Sequence, residues 1–288
     1  MWQAINEQLS ANLGSPFDIT DKLKLDNQGF DEQYIISNEQ DRYLIKISHK
    51  EHLPIYEAEI RSLLLLSESQ AFIVPQPILS NTTKNHAFLI LDYLAIKPLS
   101  EPEAQYKFGQ QLARLHQWGE QKEFGLDEDN YLGHILQPNP WHKKWPLFFA
   151  EQRIGWQLQL LKEKGLYFCD IDELVEVAKH LLAGHTPKPS LLHGALWFNN
   201  IAQSVNGAIC SNPASYWGDH ECDIAMAELS GGFLTEFYQG YQALSPLSHQ
   251  YHNRKALYQL YHQLNLCNQF GGHYLEQVDL AIKNLLAY

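Results

Sequence analysis

The chain has 288 residues, is 45% hydrophobic and 19% charged, and carries 33 acidic against 21 basic side chains, a net charge of −12. That length and composition suit one large domain or two lobes with real cores. The acidity, with no basic stripe to offset it, excludes phosphate-rich nucleic acid and anionic membrane as expected partners.

Residues 2–13 place Trp2, Ile5, Leu9 and Leu13 at helical spacing. Leu23–Leu25, Tyr34–Ile36 and Tyr43–Ile47 read as short strands, with Asp26-Asn27-Gln28-Gly29 turning between the first two. Ile55–Leu66 reads as a helix with Pro54 at its start. Val74-Pro75-Gln76-Pro77 breaks the chain, and Ala87–Tyr93 is an apolar strand. Together these predict a strand–strand–strand–helix–strand–strand lobe over 1–96. Beyond Lys97-Pro98-Leu99-Ser100 the pattern turns helical, predicting a second lobe over 97–288. Its helices are expected at Gln105–Trp118, Pro146–Lys164, Asp172–Leu182, across Ile224–Tyr241, at Asn253–Gln269 and at Tyr274–Leu286. A loop over 193–200 and a short β pair at Ile201 and Ala208–Cys210 interrupt them.

The apolar runs Leu63–Leu66 and Ala87–Leu91 are too short to span a bilayer. The start, Met1-Trp2-Gln3-Ala4-Ile5-Asn6-Glu7, lacks the basic and apolar regions of a secretory signal. Cys169, Cys210, Cys222 and Cys267 form no C-x-x-C pair, so zinc and disulfides are not expected and a reducing cytoplasm is. His49/His52 and His249/His252 have helical spacing but no third ligand nearby, which argues against a metal.

The chemistry concentrates at His193-Gly194-Ala195-Leu196-Trp197-Phe198-Asn199-Asn200 and at Ser211-Asn212-Pro213-Ala214. Kinase-fold phosphotransferases acting on small molecules have a loop H-G-D-x-x-x-x-N, followed by a metal-binding Asp. Here His193, Gly194 and Asn200 match that loop, Ala195 stands at the base position, and Asn212 at the metal position. Phosphoryl transfer needs a phosphate cradle, a cation, Mg²⁺ ligands and a group that orients the acceptor hydroxyl. The turn Asn27–Glu32, with its single Gly29, is the cradle candidate, although a plain hairpin turn explains it equally well. Lys46, in Tyr43-Leu44-Ile45-Lys46-Ile47, is the candidate cation, with Glu59 on the following helix as its partner. Asp92 and Leu94, at the end of the last strand, are candidate adenine contacts through their backbone. Asn200 and Asn212 are the metal candidates, but Mg²⁺ usually takes one or two carboxylates and both are amides. Ala195 cannot accept a proton, a role typically worth about 10²–10⁴ in rate. Asp223, opening a helix, reads as a brace for the 193–200 loop. Trp197, Tyr216 and Trp217 are either substrate walls or core aromatics. Glu221 and His220 either face the acceptor or serve elsewhere, and Asp219 or Glu221 could act as a displaced base.

The chain resembles the fructosamine kinase (ketosamine-3-kinase) family, a branch of the kinase-like fold shared with aminoglycoside and choline kinases. The resemblance rests on Val74-Pro75-Gln76-Pro77-Ile78, on Phe108–His116 against G-x-x-L-A-x-L-H, and on Asn130-Tyr131-Leu132-Gly133. It continues through Gln137–Trp141 and Trp145–Arg153, with Leu191–Asn200 resembling L-L-H-G-D-L-W-S-G-N. Asn212–Met226 resembles D-P-A-x-Y-Y-G-H-R-E-A-D-L-A-M, and Gly231-Gly232-Phe233 and Leu257–Tyr261 complete the match. It implies an α+β, bilobal protein-kinase-like fold with a small antiparallel-sheet lobe and a larger helical one. It further implies ATP and Mg²⁺, and phosphorylation of a sugar hydroxyl on a glycated amine. The departures are Ala195 and Asn212 for Asp, Phe198-Asn199 for Ser-Gly, and Asp219-His220 for His-Arg. Turnover is therefore expected to be impaired, the alternative being a non-catalytic pseudokinase that binds nucleotide, a sugar-amine or a protein.

Overall fold

Two apolar faces of one sheet organise the first third of the chain. In the computed structural model, which describes residues 1–26 and 29–287, helix α1 (Trp2–Leu13) is followed by strands β1 (Asp21–Lys24), β2 (Glu32–Ser37) and β3 (Arg42–His49). Asn27 and Gln28 of the proposed cradle lie outside the described residues. Helix α2 (Leu53–Ser69) has Pro54 in its first turn, where a missing N–H costs nothing. Strands β4 (Pro77–Thr82) and β5 (His86–Asp92) complete an antiparallel sheet of order β1-β2-β3-β5-β4.

Alternation along β3 decides where its lysine goes. Successive strand side chains point to opposite faces. Ile45 and Ile47, with Phe88 and Ile90, face Ile5 and Leu9 of α1. Lys46 is paired with Leu89 across the ladder and therefore shares the other face, where Leu89 and Leu91 pack against Tyr56, Leu63 and Leu66 of α2. Each fully buried side chain of this kind is worth roughly 1.5–3 kcal/mol, so the register that places Lys46 under α2 is strongly held.

The rest of the chain is mostly helical. Helix α3 (Pro102–Gln117) packs closely on α8 (Thr235–Leu244), because Gly109 and Gly240 each meet the other helix's backbone where a Cβ would collide. Two three-residue strands, β6 (Asn130–Leu132) and β7 (Ile135–Gln137), form a small hairpin absent from the sequence expectation. The single helix expected over 146–164 is three pieces: α4 (Trp145–Phe149), a π-helical turn at Ala150–Gly155, and α5 (Trp156–Glu163). The π turn is where Arg153 leaves the helix, consistent with the association of such bulges with special side-chain placement. Then come α6 (Ile171–Leu181), β8 (Ser190–Leu191), the hairpin β9 (Ile201–Ser204)–β10 (Gly207–Cys210), β11 (Trp217–Gly218), which pairs with β8, and α7 (Glu221–Ser230). The helical stretch expected across 224–241 breaks at Gly231, whose φ is +69°. Helices α9 (Tyr251–Phe270) and α10 (Tyr274–Leu286) close the chain.

The result is an α+β bilobal fold, a small antiparallel sheet above a larger helical lobe. Lys97 exchanges backbone hydrogen bonds of 2.9 Å with Gln203 of β9, so the connector after β5 joins the helical lobe's own hairpin at that point. Among the described residues no helix is long and apolar enough to cross a membrane, and the four cysteines are unpaired.

Candidate active site

The loop 193–200 is fixed from beneath by one buried carboxylate. Asp223, in the first turn of α7, accepts from the backbone N–H of His193 at 2.7 Å and of Gly194 at 2.9 Å. The Nε2 of His116, at the end of α3, lies 3.1 Å from the same carboxylate, and its Nδ1 lies 2.8 Å from the hydroxyl of Tyr241 on α8. The close α3–α8 contact thus sets the ring that sets the carboxylate. Burial pushes the Asp223 carboxyl up, but the His116 hydrogen bond, the charges of His116 and His193, and the Gly194 N–H outweigh it and hold the pKa below the usual value. Gly194 has φ +75°, and a Cβ there would run into the Ala214 carbonyl, so only glycine fits. At the far end of the loop the Phe198 N–H donates to Ser230 at 2.8 Å.

Above this brace the strand lysine and the two asparagines join. Lys46 is 4% exposed; its Nζ donates to Glu59 of α2 at 2.5 Å and to the side-chain oxygen of Asn212. Asn212 adopts a left-handed backbone, φ +51°, a conformation asparagine tolerates better than most residues. Its Nδ2 donates to Oδ1 of Asn200 at 2.8 Å, and Nδ2 of Asn200 donates to the Ala195 carbonyl at 2.8 Å. The direction of this relay follows from its first member. A lysine ammonium has only donors, so Asn212 turns its oxygen to Lys46 and its NH₂ to Asn200. Asn200 must then show Asn212 its oxygen and spend its own NH₂ on Ala195.

Ala195 itself is 3% exposed, and its methyl group belongs to the core. His193 is fully buried. Burial lowers its pKa to about 4 against the pull of Asp223, so the ring is neutral at pH 7. It holds the loop, its Nδ1 lying 3.3 Å from the Ala195 N–H.

The remaining candidates fall elsewhere. Asp92 is spent on the chain break before β4: its N–H donates to the Gln76 carbonyl at 2.9 Å, and its carboxylate accepts the Gln76 N–H at 2.6 Å. Leu94 lies in the connector just beyond. Gly29 and its neighbour Phe30 come next after Asn27 and Gln28, and the Phe30 ring packs against His52 and Tyr56 of the sheet lobe and His134 of the β6–β7 turn. Of the aromatic walls, only Trp197 is partly exposed, its ring 6.1 Å from that of His262. Tyr216 and Trp217 are core residues. Tyr216 stacks under the guanidinium of Arg153 at 4.1 Å, and Trp217 stacks on Trp118 at 6.0 Å. Neither alternative carboxylate is free. Glu221 grips Arg254 through two bonds of 2.7 Å. Asp219 accepts from Tyr258 at 2.6 Å and lies 2.6 Å from His185. Both are buried and paired within the protein, the two carboxylates that the sequence leaves open as an acceptor contact or a displaced base.

Several of these partners were not expected from the sequence: His116, Ser230, Arg254, Tyr258 and Arg153. Arg153, wholly buried, donates to the Pro138 carbonyl at 2.6 Å and to Asn139 at 2.7 Å. The motif Phe108–His116 was visible, but nothing in its spacing marked His116 as the partner of a carboxylate 107 residues later.

The model of one protein family, fructosamine kinase, matches residues 1–288. The chain belongs to the fructosamine kinase family. It is 59% identical over 288 residues, all of both chains, to a "Probable ketoamine kinase" of Vibrio parahaemolyticus serotype O3:K6. A crystal structure from Haemophilus somnus 129PT, described provisionally as a fructosamine-3-kinase, superposes with a TM-score of 0.94 at 37% identity, covering 99% of this chain and 98% of that one. The choline kinase of Streptococcus pneumoniae, at 17% identity and a TM-score of 0.69, covers 100% of this chain and 99% of its own, and shows the shared kinase-like fold. This member of the family brings Lys46, Glu59, Asn200 and Asn212 together beside Ala195.

Proposed function

We propose that this fructosamine kinase family protein binds ATP between its two lobes, beside Lys46, and transfers its phosphoryl group to a ketoamine with a turnover reduced by orders of magnitude, or not at all. The observation that carries the reading is Ala195. A buried methyl group stands where the acceptor hydroxyl would need a carboxylate, and the side chains bonded to that residue, Asn200 and His193, are engaged with its backbone. General-base help alone is worth about 10²–10⁴ in rate, and the effects of groups acting as one unit do not simply add.

The ATP half of the proposal is supported by a buried lysine already oriented by its glutamate, a pairing kinase folds use against nucleotide phosphates. Two of the three Lys46 donors are in use, on Glu59 and Asn212, which leaves one for a phosphate oxygen. The acceptor class, a sugar hydroxyl on a glycated amine, follows from the family and from the description of its relatives as ketoamine kinases. Trp197 is the aromatic we assign to the acceptor, since it alone of the three candidates is partly exposed. The lobes divide, on this reading, at residues 96 and 97, where the chain begins to bond to β9. Unpaired cysteines fit a reducing cytoplasm.

The test is ATP-dependent ADP release with fructoselysine, comparing the native chain with the double variant A195D/N212D. A silent native chain beside an active double variant supports the proposal. Family-level turnover by the native chain would overturn it.

A further inference from the structure

Resting on that reading of the cleft as a nucleotide site, we infer that this chain takes ATP as the free anion, without Mg²⁺. The residues at the metal positions do not fit the ion. Mg²⁺ is held in such sites by one or two carboxylates together with phosphate oxygens. Here the two positions offer neutral amide oxygens, and each oxygen already accepts a hydrogen bond inside the relay, from Lys46 on Asn212 and from Asn212 on Asn200. Glu59, the carboxylate bonded to Lys46 among the described residues, is spent on that pair.

Asn212 does more than remove a charge. An aspartate at 212 could only accept, and would draw the NH₂ of Asn200 toward itself, releasing the Asn200 oxygen and adding a negative charge for a cation. The asparagine instead presents an N–H to the oxygen of Asn200. Turning the Asn212 amide over to free that oxygen would set its NH₂ against the Lys46 ammonium, donor against donor. Lys46 therefore locks the arrangement that disfavours the ion.

Charge argues in the same direction. Two carboxylates at 195 and 212 would repel a polyphosphate unless cations lay between them. With Ala195 and Asn212 that repulsion is gone. Lys46 and Glu59 balance each other and both asparagines are neutral, so the group sets no net negative charge against a phosphate. A metal is no longer needed to mediate between negative groups.

The measurement is ATP binding by calorimetry, on the native chain and on N212D, in EDTA and in excess MgCl₂, with circular dichroism to check the fold of the variant. For the native chain Mg²⁺ should leave the dissociation constant unchanged or weaken it, whereas N212D should bind at least about tenfold tighter with Mg²⁺ than without, a difference of about 1.4 kcal/mol. Tightening of the native chain by Mg²⁺ of about tenfold or more would overturn the inference. So would a folded N212D that gains nothing from the ion. No ATP binding by the native chain in either buffer would instead remove the nucleotide reading itself.

Discussion

The side-chain NH₂ of Asn200 donates to the backbone carbonyl of Ala195, 2.8 Å away, while its oxygen accepts from Asn212. One amide thus closes the loop on itself and ends the relay that starts at Lys46. Asn200→Ala leaves the Asn212 NH₂ without its acceptor and the Ala195 carbonyl without its donor. The expected cost is about 1–3 kcal/mol. Asn200→Asp keeps an acceptor for Asn212 but sets a carboxylate against a carbonyl, so it should cost at least as much. Urea unfolding of the two variants beside the native chain reads both; a stabilised Asn200→Asp would show that the relay does not run in this direction.

Asp223 should be the most costly single carboxylate to neutralise. It is buried, and it satisfies two backbone N–H groups and one imidazole at once. Asparagine has one acceptor oxygen, so Asp223→Asn turns an N–H donor toward at least one of these donors. Removing one partner from a buried charged network typically costs about 3–5 kcal/mol. Chemical denaturation should show a loss of that size, and ATP binding should weaken in the protein that remains folded, because the loop under the relay is released. A variant with native stability would mean that His116 and the backbone do not depend on the charge.

How much of this was legible in the residues depends on how local each signal was. Lys46 could be placed because period-two alternation, on a strand whose other residues are apolar, leaves only two faces, and Glu59 follows it on the next helix. Ala195, Asn200 and Asn212 could be placed because their spacing lies within one loop and one turn. The partners of the carboxylates could not. Arg254 meets Glu221 from α9, and Tyr258 meets Asp219 from one helical turn further on. In sequence each is simply a polar or aromatic position on an amphipathic helix. Glu221 and Tyr216 therefore remained open as acceptor contacts until the fold buried them. The π turn at Ala150–Gly155 was hidden because the residues on either side of it, Trp145–Phe149 and Trp156–Glu163, read as one helix in sequence. β6 and β7 have three residues each, too short for alternation to register.

Gly194 is a strong test of the loop's backbone. Its φ of +75° already disfavours any side chain, and an added Cβ meets the Ala214 carbonyl, which is rigid backbone rather than a side chain that could swing away. Gly194→Ala should cost more than the roughly 1 kcal/mol of an ordinary left-handed site, because Ala214 is tied to His193 by a 3.0 Å backbone bond and cannot retreat without loosening the loop. The thermal midpoint should drop by several degrees, about 2–4 °C for each kcal/mol in a chain of this size. An unchanged midpoint would show that the 193–200 loop can adopt a second conformation.

Two deeply buried imidazoles, His193 and His262, give the fold an acid sensitivity with a definite sign. Burial brings both His193 and His262 to about 4 from an ordinary 6.5, against the attraction of Asp223 for each. A folded-state pKa below the unfolded one means that the unfolded chain binds more protons between these values. Stability therefore rises with pH across the window, is complete above about 6.5, and is lost as pH falls from 6.5 toward 4. Each ring contributes about 3 kcal/mol to that loss when the window has been crossed. Urea unfolding at intervals from pH 7.5 to 4.5 should show a declining free energy. His262→Phe, which keeps an aromatic ring beside Trp197 and removes one titrating group, should make the decline measurably shallower. A native profile that is flat over this range would mean that both rings are already charged, or already solvated, in the folded protein.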